Sequence, residues 1–190
     1  FSSEEIRTPT DTNRRISFPY TKMMNANMAV DMGAAIILCS VEKARELRIP
    51  EEKWVYPLAG VQGYDHFSAS VRDNFYSSPG LGLVGKRVME LSKISPEEID
   101  YVDLYSCFPS AVQIAARELG FSEERQLTLT GGLTFGGGPL NNYVMHAVAR
   151  TAELLRKAPG KKAFVSANGG NLYKHVHCSL LYTSDAADEE

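Results

Sequence analysis

Positions 1–15 (FSSEEIRTPTDTNRR) are polar and show no period, and the first sustained apolar run is DMGAAIILCS at 31–40. That run is short, partly β-branched and flanked by polar residues, which predicts a buried strand. VEKARELRI follows, rich in helix formers, and Pro50 disfavours helix at Ile49. WVYPLAG at 54–60 predicts a second strand, which its internal proline makes irregular or places at a sheet edge.

The rest of the chain continues the alternation. Ser78 and Pro79 supply a cap and a first-turn proline, and Leu81, Val84, Val88 and Leu91 recur at helical spacing behind them. Ser95 and Glu98 have the spacing of a capping box, ahead of a strand at 101–105. Pro109 opens another helix, with Val112, Ala115, Ala116 and Leu119 as its stripe and Gly120 as its left-handed cap. LTLT at 127–130 predicts a short strand that runs into the glycine loop GGLTFGGGP. Asn141 or Asn142 then caps a helix whose Val144, Val148, Thr151 and Leu155 face inward. A last clear strand at 162–167 leads to a turn at 168–171. Strands alternating with helices predict an α/β domain, a mixed sheet covered by helices, with sites on the loops at strand ends.

With 44% hydrophobic and 23% charged residues the chain is of the globular class. The net charge of −3 gives no cationic excess for nucleic acid, and no apolar stretch is long enough to span a membrane. Cys39, Cys107 and Cys178 lie far apart, without zinc or disulfide spacing, which predicts a reducing, cytoplasmic setting. Phe1 and the polar start read as a cut from a longer chain. LLYTSDAADE at 180–189 resembles the translation of a sequencing-library adapter, so 179–190 is set apart from the fold.

Three loops follow strands: Tyr105-Ser106-Cys107-Phe108-Pro109, the glycine loop up to Pro139, and the segment after Ala167. They are rich in backbone amides, which suit a phosphate or an oxyanion. The glycine loop fits neither standard nucleotide motif, and a tight turn into a capped helix explains it as well. Cys107 at a strand-to-helix turn is either a small buried hydrophobe or a thiol activated by the helix N-terminus. His146 lies on a helix off the Val144/Val148 stripe. His175 and His177 share a strand face but have no third residue at metal-ligand spacing, so no metal is expected. His66 beside Asp65 is a further acid–base candidate.

FPYTKMMNANMAVDMGAAIIL, VDLYSCFPSAVQIAARELG and TGGLTFGGGPLNNYVMHAVA, in this order, resemble the thiolase superfamily, specifically the divergent acetyl-CoA acetyltransferase proteins of the sterol-carrier-protein type. The resemblance implies a thiolase-like layered fold. Residues 1–17 would be an irregular leader, 18–48 the end of an N-terminal half and 49–178 the C-terminal domain. It also implies that the half bearing the nucleophilic cysteine lies outside this C-terminal fragment, and that a homodimer or a partner subunit forms through that half.

The family's motifs fall on this sequence with departures. The N-E-A-F or H-D-C-F motif falls on Tyr105-Ser106-Cys107-Phe108, so Tyr105 replaces an Asn or His. G-H-P falls on Gly137-Gly138-Pro139 and C-x-G on Ala167-Asn168-Gly169, so a His and a Cys that serve as bases are absent. Without them ordinary thiolysis loses two proton-transfer steps. Tyr105, Cys107, His146 and His175 are then the candidate catalytic residues. Ser106, Phe108, Gly137, Gly138, Pro139, Asn142, Asn168 and Gly169 are the candidate substrate-binding set. The resemblance implies an acyltransferase that takes acyl-CoA thioesters with no further cofactor, amides near Gly138 and Gly169 holding the thioester oxyanion. The other expectation is a non-catalytic thiolase-fold protein that binds acyl-CoA or lipid, or serves as a partner subunit.

Overall fold

The computed structural model describes residues 1–170 and 174–183. A short helix α1 (Ser3–Arg7) opens the chain, and β1 (Arg15–Ser17) and β2 (Tyr20–Thr21) form a small antiparallel hairpin. A buried polar knot fixes this start. The Asn13 amide donates to the carbonyls of Glu5, Ile6 and Thr8 at 2.9–3.1 Å, its oxygen accepts from Met23 N, and Thr21 Oγ1 donates to the Ile6 carbonyl.

The expected strand at 31–40 does not form; this stretch is irregular, with Ile37 92% and Leu38 77% exposed. An apolar β-branched run becomes a strand only when a neighbour takes its backbone hydrogen bonds, and no described strand pairs with it. The helix behind it, α2 (Val41–Glu46), forms as read, capped by Ser40.

The central sheet has the order β3-β6-β5-β4. β3 (Tyr56–Tyr64) is an edge strand with a register shift between Pro57 and Ala59, as its proline requires. α3 (Pro79–Ser92) starts on the Ser78 hydroxyl and buries Leu81, Val84 and Val88, whereas Leu91 stays half exposed at the margin of the stripe. The Ser95–Glu98 capping box leads to β4 (Tyr101–Asp103), and α4 (Pro109–Leu119) ends on Gly120 at φ 77°. The strand expected at 127–130 is absent. Leu104 N donates to the Leu127 carbonyl, but Leu129 N donates to the Asp103 carboxylate, so a side chain replaces the ladder. The glycine loop holds a one-turn helix, α5 (Gly132–Phe135), and α6 (Tyr143–Lys157) follows.

β5 (Lys162–Gly169) extends through Asn168 and Gly169, which the sequence reads as a turn. β6 (His175–Tyr182) runs past Cys178, so Leu180 and Leu181, in the stretch set apart from the fold on sequence, belong to the core. The expected positions 171 and 184–190 lie outside the described residues. β5 is parallel to β4 and antiparallel to β6. Its side chains alternate: Phe164 packs with Val88, Leu104 and Ala116 under α3 and α4, while Ala163 and Val165 pack with Ala147 and Leu155 of α6. The mixed sheet is therefore covered by helices on both faces, which explains why β5 is buried without a break from Ala163 to Ser166. Full burial of a side chain such as Phe164 or Leu180 contributes about 1.5–3 kcal/mol. Among the described residues no helix is long and apolar enough to cross a membrane.

Candidate functional site

Strand directions decide where the loops meet. β4 and β5 are parallel, so their C-terminal ends share one side of the sheet, and antiparallel β6 begins there with His175. On that side lies a cavity of about 960 Å³. Three of the four candidate catalytic residues line it: Tyr105, Cys107 and His175. So do Phe108, Gly138, Asn168 and Gly169 of the candidate binding set. The segment before α2 closes another wall through Asn25, Ala26 and Asn27. Among the described residues nothing lies within 4 Å of where a Gly169 side chain would start, which leaves room beside this residue for a ligand.

Tyr105 is half buried. Its ring meets Tyr143 edge-on at 5.5 Å, and its amide donates to Ser166 Oγ at 3.1 Å. Burial is the largest cause that raises the phenol pKa, and ionisation of nearby Cys107 would raise it further, so Tyr105 offers the cavity a neutral O–H donor. Burial also pushes the Cys107 thiol up, and the amides of Phe108 and Cys107 itself only partly oppose it. The start of α4 therefore does not yield a thiolate; Cys107 packs against both apolar clusters as a small hydrophobe.

Under this loop lies a network that sequence reasoning missed. Asp103 is fully buried at the end of β4 and accepts from Leu129 N at 2.7 Å and from the Tyr143 hydroxyl at 3.2 Å. The Tyr143 hydroxyl also meets Thr130 Oγ1 at 2.7 Å. Ser106 Oγ accepts from Leu133 N at 3.2 Å, which ties the Tyr105–Cys107 loop to α5. Ser106 thus braces the site and does not line the main cavity. The available signal was a carboxylate inside an apolar strand, YVDLY.

His175 stacks on Tyr64 at 4.8 Å, and His177, two residues on along β6, lines the cavity with Nε2 2.6 Å from Ser179 Oγ. Burial first, then His175, lowers the His177 pKa, which keeps that imidazole neutral. His146 does not line the cavity; its Nε2 is buried on α6 with no hydrogen-bond partner among the described residues. His66 is exposed, and Asp65 pairs instead with Arg72 at 3.1 Å. Among the described residues no group of three His, Cys, Asp or Glu is placed to hold a metal ion.

No family model matches the chain. It is 25% identical over 103 residues to an acetyl-CoA acetyltransferase of Methanocaldococcus jannaschii, covering 54% of this chain and 26% of that protein. It is 31% identical over 143 residues to a steroid side-chain-cleaving aldolase of Thermomonospora curvata, covering 68% of this chain and 36% of that protein. The crystal structure of a monomeric SCP2-thiolase-like protein type 1 from Mycobacterium smegmatis superposes on 98% of this chain and 41% of its own. The TM-score is 0.84 and the identity 34%. This chain is a relative of the SCP2-type thiolases.

The thiolase-type chain spans between a quarter and half of the length of these proteins. Its glycine loop differs from the expected oxyanion cradle. Gly138 N donates to the Asn27 carbonyl at 2.8 Å, and Asn27 N donates to the Leu133 carbonyl at 3.0 Å, so the Gly138 amide already has a partner. Gly137, at φ 84°, is roofed by Val30 and Met32 and does not line the cavity. Pro139 and Asn142 lie outside it as well, and Asn142 makes no side-chain cap to α6 although it occupies the cap position. What this site holds is a neutral phenol donor, a neutral imidazole and an open glycine around one cavity. Such a set can polarise a carbonyl and move a proton.

Proposed function

We propose that this cavity receives the thioester of an acyl-CoA and that the reaction is acyl transfer of the acetyl-CoA acetyltransferase kind. One observation carries the reading: Tyr105, His177 and the open backbone of Gly169 line a single cavity at the strand ends. The Tyr105 hydroxyl donates to the thioester oxygen as negative charge builds there, and its raised pKa keeps the proton available. Neutral His177 accepts a proton from the carbon next to the thioester. The resulting enolate is the nucleophile that carbon–carbon bond formation needs.

A second reading is carbon–carbon cleavage of a CoA thioester. The names of two relatives support it: the Thermomonospora aldolase and a 17-hydroxy-3-oxo-4-pregnene-20-carboxyl-CoA lyase of Mycobacterium tuberculosis, 25% identical over 154 residues. Both reactions pass through the same stabilised enolate. The test is exchange of the acetyl protons of acetyl-CoA with deuterated water, followed by NMR, alongside release of free CoA. The full chain should catalyse exchange, and Tyr105→Phe should slow it by about 10²–10³-fold, as loss of an oxyanion donor does. Tight binding of acetyl-CoA with no exchange would establish a thioester-binding role in place of catalysis.

A further inference from the structure

We infer that Asp103 and Tyr143 are positioning residues for the Tyr105 hydroxyl, Asp103 fixing Tyr143 and the Tyr143 ring fixing Tyr105. The inference rests on the acyl-CoA reading of the cavity, in which that hydroxyl donates to the thioester oxygen. Along β4 and the residues after it the side chains alternate: Val102 and Leu104 pack under α3 and α4, while Tyr101 and Tyr105 pack toward α6. Asp103 falls in the second set and meets α6 at its first residue, Tyr143.

Tyr143 is 1% exposed and does not line the cavity, whereas Tyr105 does. Whatever Tyr143 does for the reaction therefore passes through Tyr105. The two rings stand edge-on, with 5.5 Å between centroids and 87° between planes. An edge-on contact is directional, so the place of one ring sets the place of the other. The Tyr143 ring is set in turn by its hydroxyl, 3.2 Å from Asp103 Oδ1 and 2.7 Å from Thr130 Oγ1.

Each of these groups is held from a second side. Asp103 Oδ2 accepts from Leu129 N at 2.7 Å, Thr130 Oγ1 accepts from Gly132 N at 3.2 Å, and the Tyr105 amide donates to Ser166 Oγ at 3.1 Å. The Tyr143 ring cannot slide or tilt without breaking a buried hydrogen bond. A carboxyl is costly to bury, and an apolar side chain would fill position 103 without that cost. What the carboxyl adds is a fixed direction toward two partners, 26 and 40 residues away. A donor to a developing oxyanion needs such placement, because a displacement of about 1 Å at a reacting group costs up to about 10²-fold in rate.

The test is a double-mutant cycle read by exchange of the acetyl protons of acetyl-CoA with deuterated water. Tyr143→Phe keeps the ring and removes the hydroxyl. It should slow exchange at saturating acetyl-CoA about tenfold and leave the calorimetric Kd within about twofold, because the Tyr105 hydrogen bond tightens only as charge develops. In the Tyr105→Phe background the same change should slow exchange no further. Asp103→Asn, which keeps an accepting oxygen, should retain more exchange than Asp103→Ala. Gly85→Ala, which disturbs only the contact of α3 with α4, is the control for lost stability and should exchange like the wild type. With labelled tyrosine, the Tyr105 ring signals in the NMR spectrum should shift in Tyr143→Phe. Equal slowing by Tyr143→Phe with and without the Tyr105 hydroxyl, or Tyr105 signals that do not shift, would overturn the positioning role. Shifted Tyr105 signals together with no exchange by the wild type would uphold the positioning of the ring and overturn the acyl-transfer reading alone.

Discussion

The Tyr143 hydroxyl lies 3.2 Å from Asp103 Oδ1, and both side chains are sealed from solvent beneath the Tyr105–Cys107 loop. Asp103 anchors the end of β4 to the segment at 127–130, and Tyr143 joins α6 to the same point. The site therefore stands on a polar brace that spans the sheet and one of its covering helices.

Removing the hydroxyl should show what the brace contributes. Tyr143→Phe takes a donor from the buried Asp103 carboxylate and leaves Thr130 Oγ1 with Gly132 N, at a cost of about 1–3 kcal/mol. Urea unfolding should show a lower midpoint with an unchanged slope, and an unchanged midpoint would mean that the brace adds nothing.

The buried carboxyl also predicts a pH dependence. Burial raises the Asp103 pKa despite its three donors, so the folded state holds this proton at a pH where the unfolded chain has released it. Its contribution is full below the ordinary carboxylate range and is lost as pH rises through the folded value. The stability of wild type minus that of Asp103→Asn should therefore fall as pH rises above the ordinary carboxylate range. A difference that rises with pH would contradict this sign.

Helix packing offers a check on the layers. A side chain at Gly85 on α3 would run into Leu119 Cδ2 of α4. Gly85→Ala should destabilise by about 1–3 kcal/mol through overpacking, although alanine is the better helix former. A thermal midpoint equal to or above wild type would mean that α3 and α4 are not in this contact.

The three cysteines should separate by reactivity. Cys39 is exposed, Cys107 is half buried with a raised pKa, and burial pushes Cys178 up to about 12. Ellman's reagent should modify Cys39 rapidly, Cys107 slowly, and Cys178 only after denaturation. Two fast thiols in the native protein would indicate that Cys107 is activated after all.

Local signals carried much of the fold. Ser78-Pro79, the Ser95–Glu98 box and Gly120 each mark an element boundary through hydrogen bonds to near neighbours, and the structure makes those bonds or turns. The three quoted segments placed the chain beside the thiolases for the same reason, since each is a contiguous motif. What failed depended on distant partners. The run at 31–40 has strand composition but no strand to pair with, and 127–130 is held by Asp103, 26 residues away from Leu129. β1 and β2, at three and two residues, are too short to show a period, so β1 read as part of an irregular leader at 1–17 and β2 went unread within 18–48. In the site, Tyr105, Cys107, Asn168, Gly169 and His175 are brought together because each sits at a strand end. His146 and Asn142 were placed on the right helix, but the sequence does not state which way that helix turns.

The central claim is that this cavity holds a CoA thioester against the open backbone of Gly169. The most direct measurement is the affinity of the full chain for acetyl-CoA, by calorimetry, compared with Gly169→Leu, whose added side chain would start where no described residue lies within 4 Å. The account predicts that the substitution weakens binding by at least about tenfold, roughly 1.4 kcal/mol, with an unchanged unfolding midpoint. Equal affinity for acetyl-CoA in the two proteins would contradict it.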